Sequence, residues 1–255
     1  MHIPVTPSMR LDGRRALVTG AGRGLGLAAA SALAAAGAEV VLAARSPQEV
    51  NESAAAIREA GGTASGVALD VVDLDATSAW LEQTPAFDIL VNNAGTNRPA
   101  AFLDTEVGDY DFVFDVNVRA AFFIAQGVAR KLVREGRPGS IINVSSQMGH
   151  VGATRRTVYC ATKHAVEGMT KAMAAELGAN GIRVNTLCPT FIETPMTKPF
   201  FDDRAFRDAV LNKLKLGRVG IPEDIMGAVV FLASDASALM TGSALMLDSG
   251  WTSTS

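Results

Sequence analysis

One short stretch constrains this chain more than any other. An apolar run, Ala16–Thr19, ends in Gly20-Ala21-Gly22-Arg23-Gly24-Leu25-Gly26, and an alanine-rich run, Leu25–Ala36, follows and stops at Gly37. A strand that breaks into a glycine-rich turn and restarts as a helix opens a βα unit. The same alternation continues along the chain. Val40–Ala43, Val67–Leu69, Ile89–Asn92, Ser140–Val144, Arg183–Leu187 and Ala244–Leu247 read as strands. Helices are predicted around Ala76–Leu81 and over Tyr110–Arg134, Val158–Leu177 and Pro222–Leu232. Another opens at Ser46 as N-cap, with Pro47 at N1 and Glu49 at N3, and runs to about Ala60.

The strands are short and continuously apolar rather than alternating, as strands covered by helices on both faces are. The predicted fold is therefore α/β: one Rossmann-type, doubly wound parallel sheet in a single domain spanning 1–255. The segment Pro189–Gly217 breaks the rhythm and reads as a substrate lid.

Composition removes several alternatives. The 23 basic and 26 acidic residues leave a net charge of −3, with no electrostatic footprint for nucleic acid. Cys160 and Cys188 are too few for a disulfide framework and fit a reducing cytoplasm. No basic leader precedes an apolar core at the N-terminus, and no uninterrupted apolar run approaches the roughly 20 residues that span a bilayer. No His/Cys/Asp/Glu cluster has metal-ligand spacing, so no metal is expected.

Glycines between a first strand and a first helix let the backbone approach a pyrophosphate, and the helix N-terminus adds free N–H groups. The spacing is Thr19-Gly20-x-x-x-Gly24-x-Gly26. Further along stand Asn92-Asn93-Ala94-Gly95, Asn117, Ser146 and Tyr159-x-x-x-Lys163. This ordered set resembles the classical short-chain dehydrogenase/reductase family over about Leu11–Trp251. The resemblance implies a nicotinamide-dependent alcohol/ketone oxidoreductase, cytoplasmic and assembled as a homotetramer.

Tyr159 and Lys163 are four residues apart and share a helix face. An ammonium beside a phenol favours the phenolate, which brings its proton chemistry toward neutral pH. By resemblance Tyr159 exchanges the proton, Lys163 also holds the nicotinamide ribose, and Ser146 rather than its neighbour Ser145 binds the carbonyl oxygen. Asn117 would hold a water that relays protons to Lys163, although a mid-helix Asn also reads as a local helix distortion. The implied cofactor contacts are Gly20, Arg23, Gly24, Leu25 and Gly26 in the turn, Asp70 and Val71 after the third strand, and Asn93, Ala94 and Gly95. Tyr159, Lys163, Pro189, Ile192 and Thr194 complete them.

The second strand ends at Ala44-Arg45, where an acidic residue would select NAD. Arg23 and Arg45 without a carboxylate favour NADP(H), with NAD(H) as the alternative. The family's Pro-Gly after the sixth strand is Pro189-Thr190 here. Asp70 also reads as a cap for the following helix.

Thr96, Asn97, Gln147, His150, Arg155 and Arg156 are polar candidates for the substrate side and favour a sugar, polyol or sugar acid. His150 and the arginine pair also read as solvated loop residues. Phe191, Phe200, Phe201 and Phe206 favour an apolar pocket or lid anchors. A 3-oxoacyl-thioester reductase is the alternative enzyme. A non-catalytic NADP-sensing or scaffold protein is the alternative of another class; retention of Tyr159 and Lys163 counts against it.

Overall fold

The computed structural model describes residues 3–195 and 197–253. Seven strands form one parallel sheet: β1 (Arg15–Thr19), β2 (Glu39–Ala44), β3 (Thr63–Ala68), β4 (Ile89–Asn92), β5 (Gly139–Val144), β6 (Ile182–Pro189) and β7 (Ala244–Leu247). Their order is β3-β2-β1-β4-β5-β6-β7. The chain winds one way from β1 to β3, then crosses back and winds the other way from β4. The switch point therefore lies between β1 and β4, where such sheets open a crevice at the carboxyl ends of the strands.

Helices cover both faces. On one side α1 (Gly24–Ala35), α2 (Pro47–Glu59) and α9 (Glu223–Ala233) close a core built on Val18, Val40, Ile89, Leu33, Ile57 and Val229. On the other, α3 (Leu74–Gln83), α5 (Ala121–Glu135) and α6 (Thr157–Leu177) pack over Leu17, Val41, Leu90, Ile141 and Val184. Each fully buried aliphatic side chain contributes roughly 1.5–3 kcal/mol. With both sheet faces buried, the strands carry no polar alternation.

The single long helix predicted over Tyr110–Arg134 starts earlier, as α4 (Val107–Phe114), and runs into α5 through a π-helical stretch, Asp115–Ala120. Together they form a 29-residue helix, Val107–Glu135, that is long and apolar enough to cross a membrane by length and composition, yet half of its apolar window is buried inside the protein. Asp115 and Arg119 interrupt the run, and the buried residues of α5 (Ile124, Ala125, Val128 and Leu132) face the sheet.

The second strand–helix unit behaves as its residue types demand. Ser46 Oγ accepts from the Glu49 N–H at 3.2 Å, and Pro47 sits in the first turn. The Glu49 carboxylate does not close the capping box; it turns to Arg23 at 3.0 Å.

The third strand differs from its predicted span. It starts at Thr63, not Val67, and ends before Leu69. Its first four residues, Thr63-Ala64-Ser65-Gly66, have no apolar signature, and its register is imposed by pairing with β2 from Glu39↔Thr63 to Ala44↔Ala68. Gly66 is required there: a Cβ would lie 2.9 Å from the Val50 carbonyl oxygen of α2.

Two short helices, α7 (Lys198–Phe201) and α8 (Arg204–Leu211), fill the segment after β6. Phe191 packs edge-on against Phe201 at 5.9 Å and Phe206 at 5.6 Å, and tilted against Trp251 at 5.8 Å. These contacts make the phenylalanines anchors of this segment. The Phe200 side chain lies outside the described residues.

At the opposite, amino-terminal end of the strands stands Asp88, buried just before the central strand β4. It accepts from the Arg15 N–H at 2.8 Å and pairs with Arg137 at 2.5 Å. Replacing Asp88 by Ala strands that N–H and removes a charged partner. The expected cost is about 1–3 kcal/mol, read as a lower urea midpoint with an unchanged denaturant slope. An unchanged midpoint would remove Asp88 from the stabilising contacts.

Candidate active site

The site assembles around the clasp between β1 and β4. The Thr19 hydroxyl accepts from the Asn93 and Ala94 N–H groups, each at 3.1 Å. The Asn93 amide donates to the Thr19 carbonyl at 3.0 Å and the Gly20 carbonyl at 3.1 Å. Asn93 therefore shapes the turn, and Thr19 is a contributor the motif spacing did not assign a role. Gly26 has no room for a side chain: its Cβ would fall 2.3 Å from the Gly20 oxygen. Gly20 and Gly24 adopt φ of +63° and +59°, a region that favours glycine.

The turn presents an open helix end. Arg23 caps α1 without a side-chain hydrogen bond, and the first turn holds no acidic residue. Free N–H groups and the positive end of a helix dipole suit a pyrophosphate. Thr194 lies across the turn, its Cβ and methyl carbon 3.6 Å from where a Gly24 Cβ would stand.

At the end of β2, Arg45 is exposed and makes no hydrogen bond or ion pair among the described residues. Arg23 is exposed but already committed to Glu49. The two predicted arginines are thus not equivalent: Arg45 is free to meet an anion, whereas Arg23 must first leave its carboxylate. Asp70 does not cap α3. Asp73 does, accepting from the Ala76 N–H at 3.0 Å, while Asp70 Oδ1 accepts from Val72 N–H at 3.1 Å. Val71 beside it is buried.

The residues expected to handle the proton lie on α6 and just after β5. Ser146 Oγ accepts from the Met148 N–H at 3.1 Å and lies near enough to the Tyr159 hydroxyl to lower the phenol's pKa. Ser145 points elsewhere, its buried hydroxyl beside the Cys188 thiol with no hydrogen bond among the described residues. The geometry thus separates the two serines. Lys163 is buried, donates to the Val144 carbonyl at 2.8 Å and lies 5.5 Å from the Tyr159 ring centre. Burial pushes its ammonium down from 10.5 to about 8.

Tyr159 departs from expectation. Burial pushes its phenol above the ordinary value of 10, against the nearby Ser146 hydroxyl and the Arg156 charge, which pull it down. The ammonium reaches the ring face rather than the hydroxyl, so Lys163 does not offset the desolvation.

Asn117 sits in the π-helical stretch, which bears out the predicted distortion. Its Oδ1 accepts from Thr96 N–H at 2.7 Å, and its Nδ2 donates to the Thr96 carbonyl at 2.9 Å and Thr162 Oγ1 at 3.1 Å. Thr162 in turn donates to the Tyr159 carbonyl at 2.8 Å. The side chain therefore braces the loop after Gly95 against α6. Thr162, a structural relay, has no motif that would single it out. A Gly95 Cβ would meet Asn117 Oδ1 at 3.5 Å and Lys163 Nζ at 3.9 Å, which places this loop directly over the pair.

At the end of β6, Pro189 and Ile192 are buried. Thr190 replaces the family's glycine without strain, since positive φ at non-glycine residues is confined to Arg155 and Ser249 among the described residues. Its Oγ1 is buried and without a hydrogen-bond partner, as is Gln147 Oε1. Buried orphan oxygens are costly and mark places where a ligand completes the pairing. With the open helix end and the glycine cradle, they fit a dinucleotide.

The polar substrate candidates divide. Asn97 and Thr96 are half-buried beside the Gly95 loop. Arg155 is exposed with φ +59°, while Arg156 is buried, not solvated, and its charge acts on Tyr159. His150 turns toward Glu167 and Cys188, at 3.5 and 3.6 Å. Cys160 is buried on α6 and serves packing. Burial pushes the Cys188 thiol up to about 12, so Cys188 is not placed as a nucleophile.

Lys163 sets a pH signature. Its folded pKa is lowered to about 8, so between about pH 8 and 10.5 the unfolded chain binds more protons than the folded one. Stability from this group rises with pH across that window. Cys188 and Tyr159, whose values are raised, act in the opposite sense only above their ordinary values of 9 and 10. Between pH 8 and 9 the unfolding free energy is therefore expected to rise by at most about 1.4 kcal/mol. Lys163→Met should flatten that rise; parallel profiles for the two proteins would refute it.

A family model described as enoyl-(acyl carrier protein) reductase matches residues 20–252. An L-xylulose reductase from Bos taurus is 42% identical, covering 96% of this chain and 99% of its own. A 3-oxoacyl-[acyl-carrier-protein] reductase from Vibrio harveyi is 40% identical, covering 95% and 98%. A gluconate 5-dehydrogenase from Burkholderia cenocepacia J2315, solved in complex with NADP and tartrate, superposes with a TM-score of 0.93 at 38% identity, covering 97% and 98%. The glycine turn, the Asn-Ala-Gly loop and the Ser146–Tyr159–Lys163 arrangement stand within the matched span. The chain belongs to the classical short-chain dehydrogenase/reductase family of nicotinamide-dependent oxidoreductases.

Proposed function

We propose that this enzyme interconverts a small polyhydroxylated ketone, such as a keto sugar or keto sugar acid, and its secondary alcohol, using NADP(H). The observation that carries the reading is the convergence of Ser146, Tyr159 and Lys163, with the Lys163 ammonium 5.5 Å from the Tyr159 ring centre and one helical turn away. When bound, the nicotinamide exchanges a hydride with the carbonyl carbon. Ser146 Oγ holds the carbonyl oxygen in place. In reduction Tyr159 Oη gives that oxygen its proton, and in oxidation it takes the proton back. Burial keeps Tyr159 protonated at neutral pH, which suits the donor role.

Lys163, the nearest cation on the same helix face, holds the cofactor ribose and returns the proton to Tyr159. The Asn117 side chain is fully engaged with Thr96 and Thr162, so a water relay to Lys163 would start at its main-chain carbonyl in the π-turn. Such turns release backbone groups from the regular helical pattern.

The substrate class rests on polar groups at the reacting end: Thr96, Asn97, the orphan Gln147 Oε1 and the buried Arg156. An arginine beside Tyr159 supplies a bidentate partner for a carboxylate. The similarity to an L-xylulose reductase and to a gluconate 5-dehydrogenase supports this class. NADP is supported by the free Arg45 and the absence of a carboxylate at Ala44, together with the NADP bound in that neighbour. The segment 189–217, pinned by Phe191, Phe201 and Phe206, acts as the lid. We place the enzyme in the cytoplasm, as its unpaired Cys160 and Cys188 favour. The exposed apolar side chains of Phe102, Leu103, Val107 and Phe122 support closure of a homo-oligomer, a tetramer by family resemblance.

Oxidation of NADPH, followed with keto sugars, keto sugar acids, 3-oxoacyl thioesters and aryl ketones, tests the reading. Turnover is expected with the hydroxylated ketones and is expected to fall about 100- to 10,000-fold in Tyr159→Phe. Full activity in that variant would sink the proton assignment, and NADPH binding without reduction of any ketone would favour a sensing role. Preferential reduction of thioesters would move the chain to the acyl-reductase class. Arg45→Asp is expected to shift the NADPH/NADH preference at least about tenfold toward NADH, through loss of one charged contact; an unchanged ratio would remove Arg45 from the 2′-phosphate site.

A further inference from the structure

Behind the reaction centre, the fold gathers three metal-ligand types that are far apart in sequence. His150 ends the 3-10 turn Gln147–Gly149, Glu167 lies on α6 two turns beyond Tyr159, and Cys188 lies near the end of β6. Cys188 Sγ lies 3.2 Å from Glu167 Oε1 and 3.6 Å from His150 Nε2, and those two atoms are 3.5 Å apart. Zinc bonds of about 2.3 Å to sulfur and about 2.0–2.2 Å to nitrogen and oxygen give a tetrahedron with edges of about 3.3–3.6 Å. The three atoms already form nearly that face.

The surroundings fit as well. Cys188 and Glu167 are buried, whereas the His150 side chain is 31% exposed and provides the way in from solvent. The second carboxylate oxygen of Glu167 accepts from Thr186 Oγ1 at 3.0 Å, which orients the ligand. The Ser145 hydroxyl, buried and without a partner, lies beside the Cys188 thiol as a further oxygen donor. A thiolate and a carboxylate neutralise a divalent cation, so the loaded site buries no net charge. A catalytic triad of the cysteine-nucleophile kind is a poor reading, because Cys188 is 0% exposed and no substrate can reach its sulfur.

We propose that His150, Glu167 and Cys188 form a tetrahedral site for a borderline-soft divalent metal ion, zinc foremost, with its fourth position open to Ser145 or water. The ion would tie β6 and α6 to the turn that follows Ser146. The proposal stands apart from the reading of the substrate, since its test does not use turnover.

Chelator-stripped protein titrated with Co²⁺ is the probe. One ion per chain is expected, with a thiolate-to-cobalt band in the near ultraviolet and visible bands of tetrahedral intensity, all displaced by Zn²⁺. The near-ultraviolet band should vanish in Cys188→Ser. His150→Ala changes a part-exposed residue and so keeps the test alive if the cysteine variant fails to fold. It should weaken Zn²⁺ binding at least tenfold and abolish the rise in Tm that Zn²⁺ gives the parent protein. A spectrum without thiolate character, binding well below one ion per chain, or Zn²⁺ stabilisation undiminished in His150→Ala would each overturn the site and leave the three residues as a hydrogen-bonded cluster.

Discussion

The clasp between β1 and β4 is the contact on which the cleft depends. Four hydrogen bonds from the Asn93 side chain and the Asn93 and Ala94 backbone close on Thr19 and Gly20. They hold the glycine turn in a conformation that leaves the α1 N-terminus uncapped. They also bring the Gly95 loop over Asn117 and Lys163. Because β1 and β4 flank the switch in winding direction, no helix crosses between their carboxyl ends. The crevice follows from topology, and the clasp gives it a fixed shape.

Helix α6 supplies the second constraint. Tyr159, Lys163 and Glu167 recur every four residues and so share one face, pressed toward the ends of β5 and β6. Their environments then diverge. Tyr159 meets Ser146, Lys163 donates to Val144, and Glu167 meets Thr186 and Cys188. A single helical stripe thus carries the proposed proton chemistry at one end and a buried polar cluster at the other. The π-helical stretch around Asn117 is braced to the same helix through Thr162, so the distortion and the reaction centre are one assembly.

Much of the fold was legible because local chemistry and global packing agreed. Short apolar runs mark strands buried on both faces, and Ser46-Pro47 marks a helix start by capping. The third strand was misplaced because its first four residues are Thr, Ala, Ser and Gly. Those residues pair only because β2 lies beside them and α2 presses on Gly66. The lone arginine pair at Arg23 and Arg45 looked symmetrical in the chain, yet Glu49 claims one and leaves the other. The acidic partner is four residues beyond Arg45 in sequence, but its rotamer is a tertiary matter.

The sequence by itself determined the order of elements, the glycine turn and the identity of Tyr159, Lys163 and Ser146 as an ordered set, since these depend on spacing along one strand end or one helix face. Tertiary structure alone decided that Arg156 is buried, that its charge acts on Tyr159, and that the phenol is held above its ordinary value. It alone brought His150, Glu167 and Cys188 within reach of one another. The physical reason is common to all of these. Desolvation and hydrogen-bond partnership are properties of a three-dimensional neighbourhood, built here from turns, helices and strands that no local pattern links.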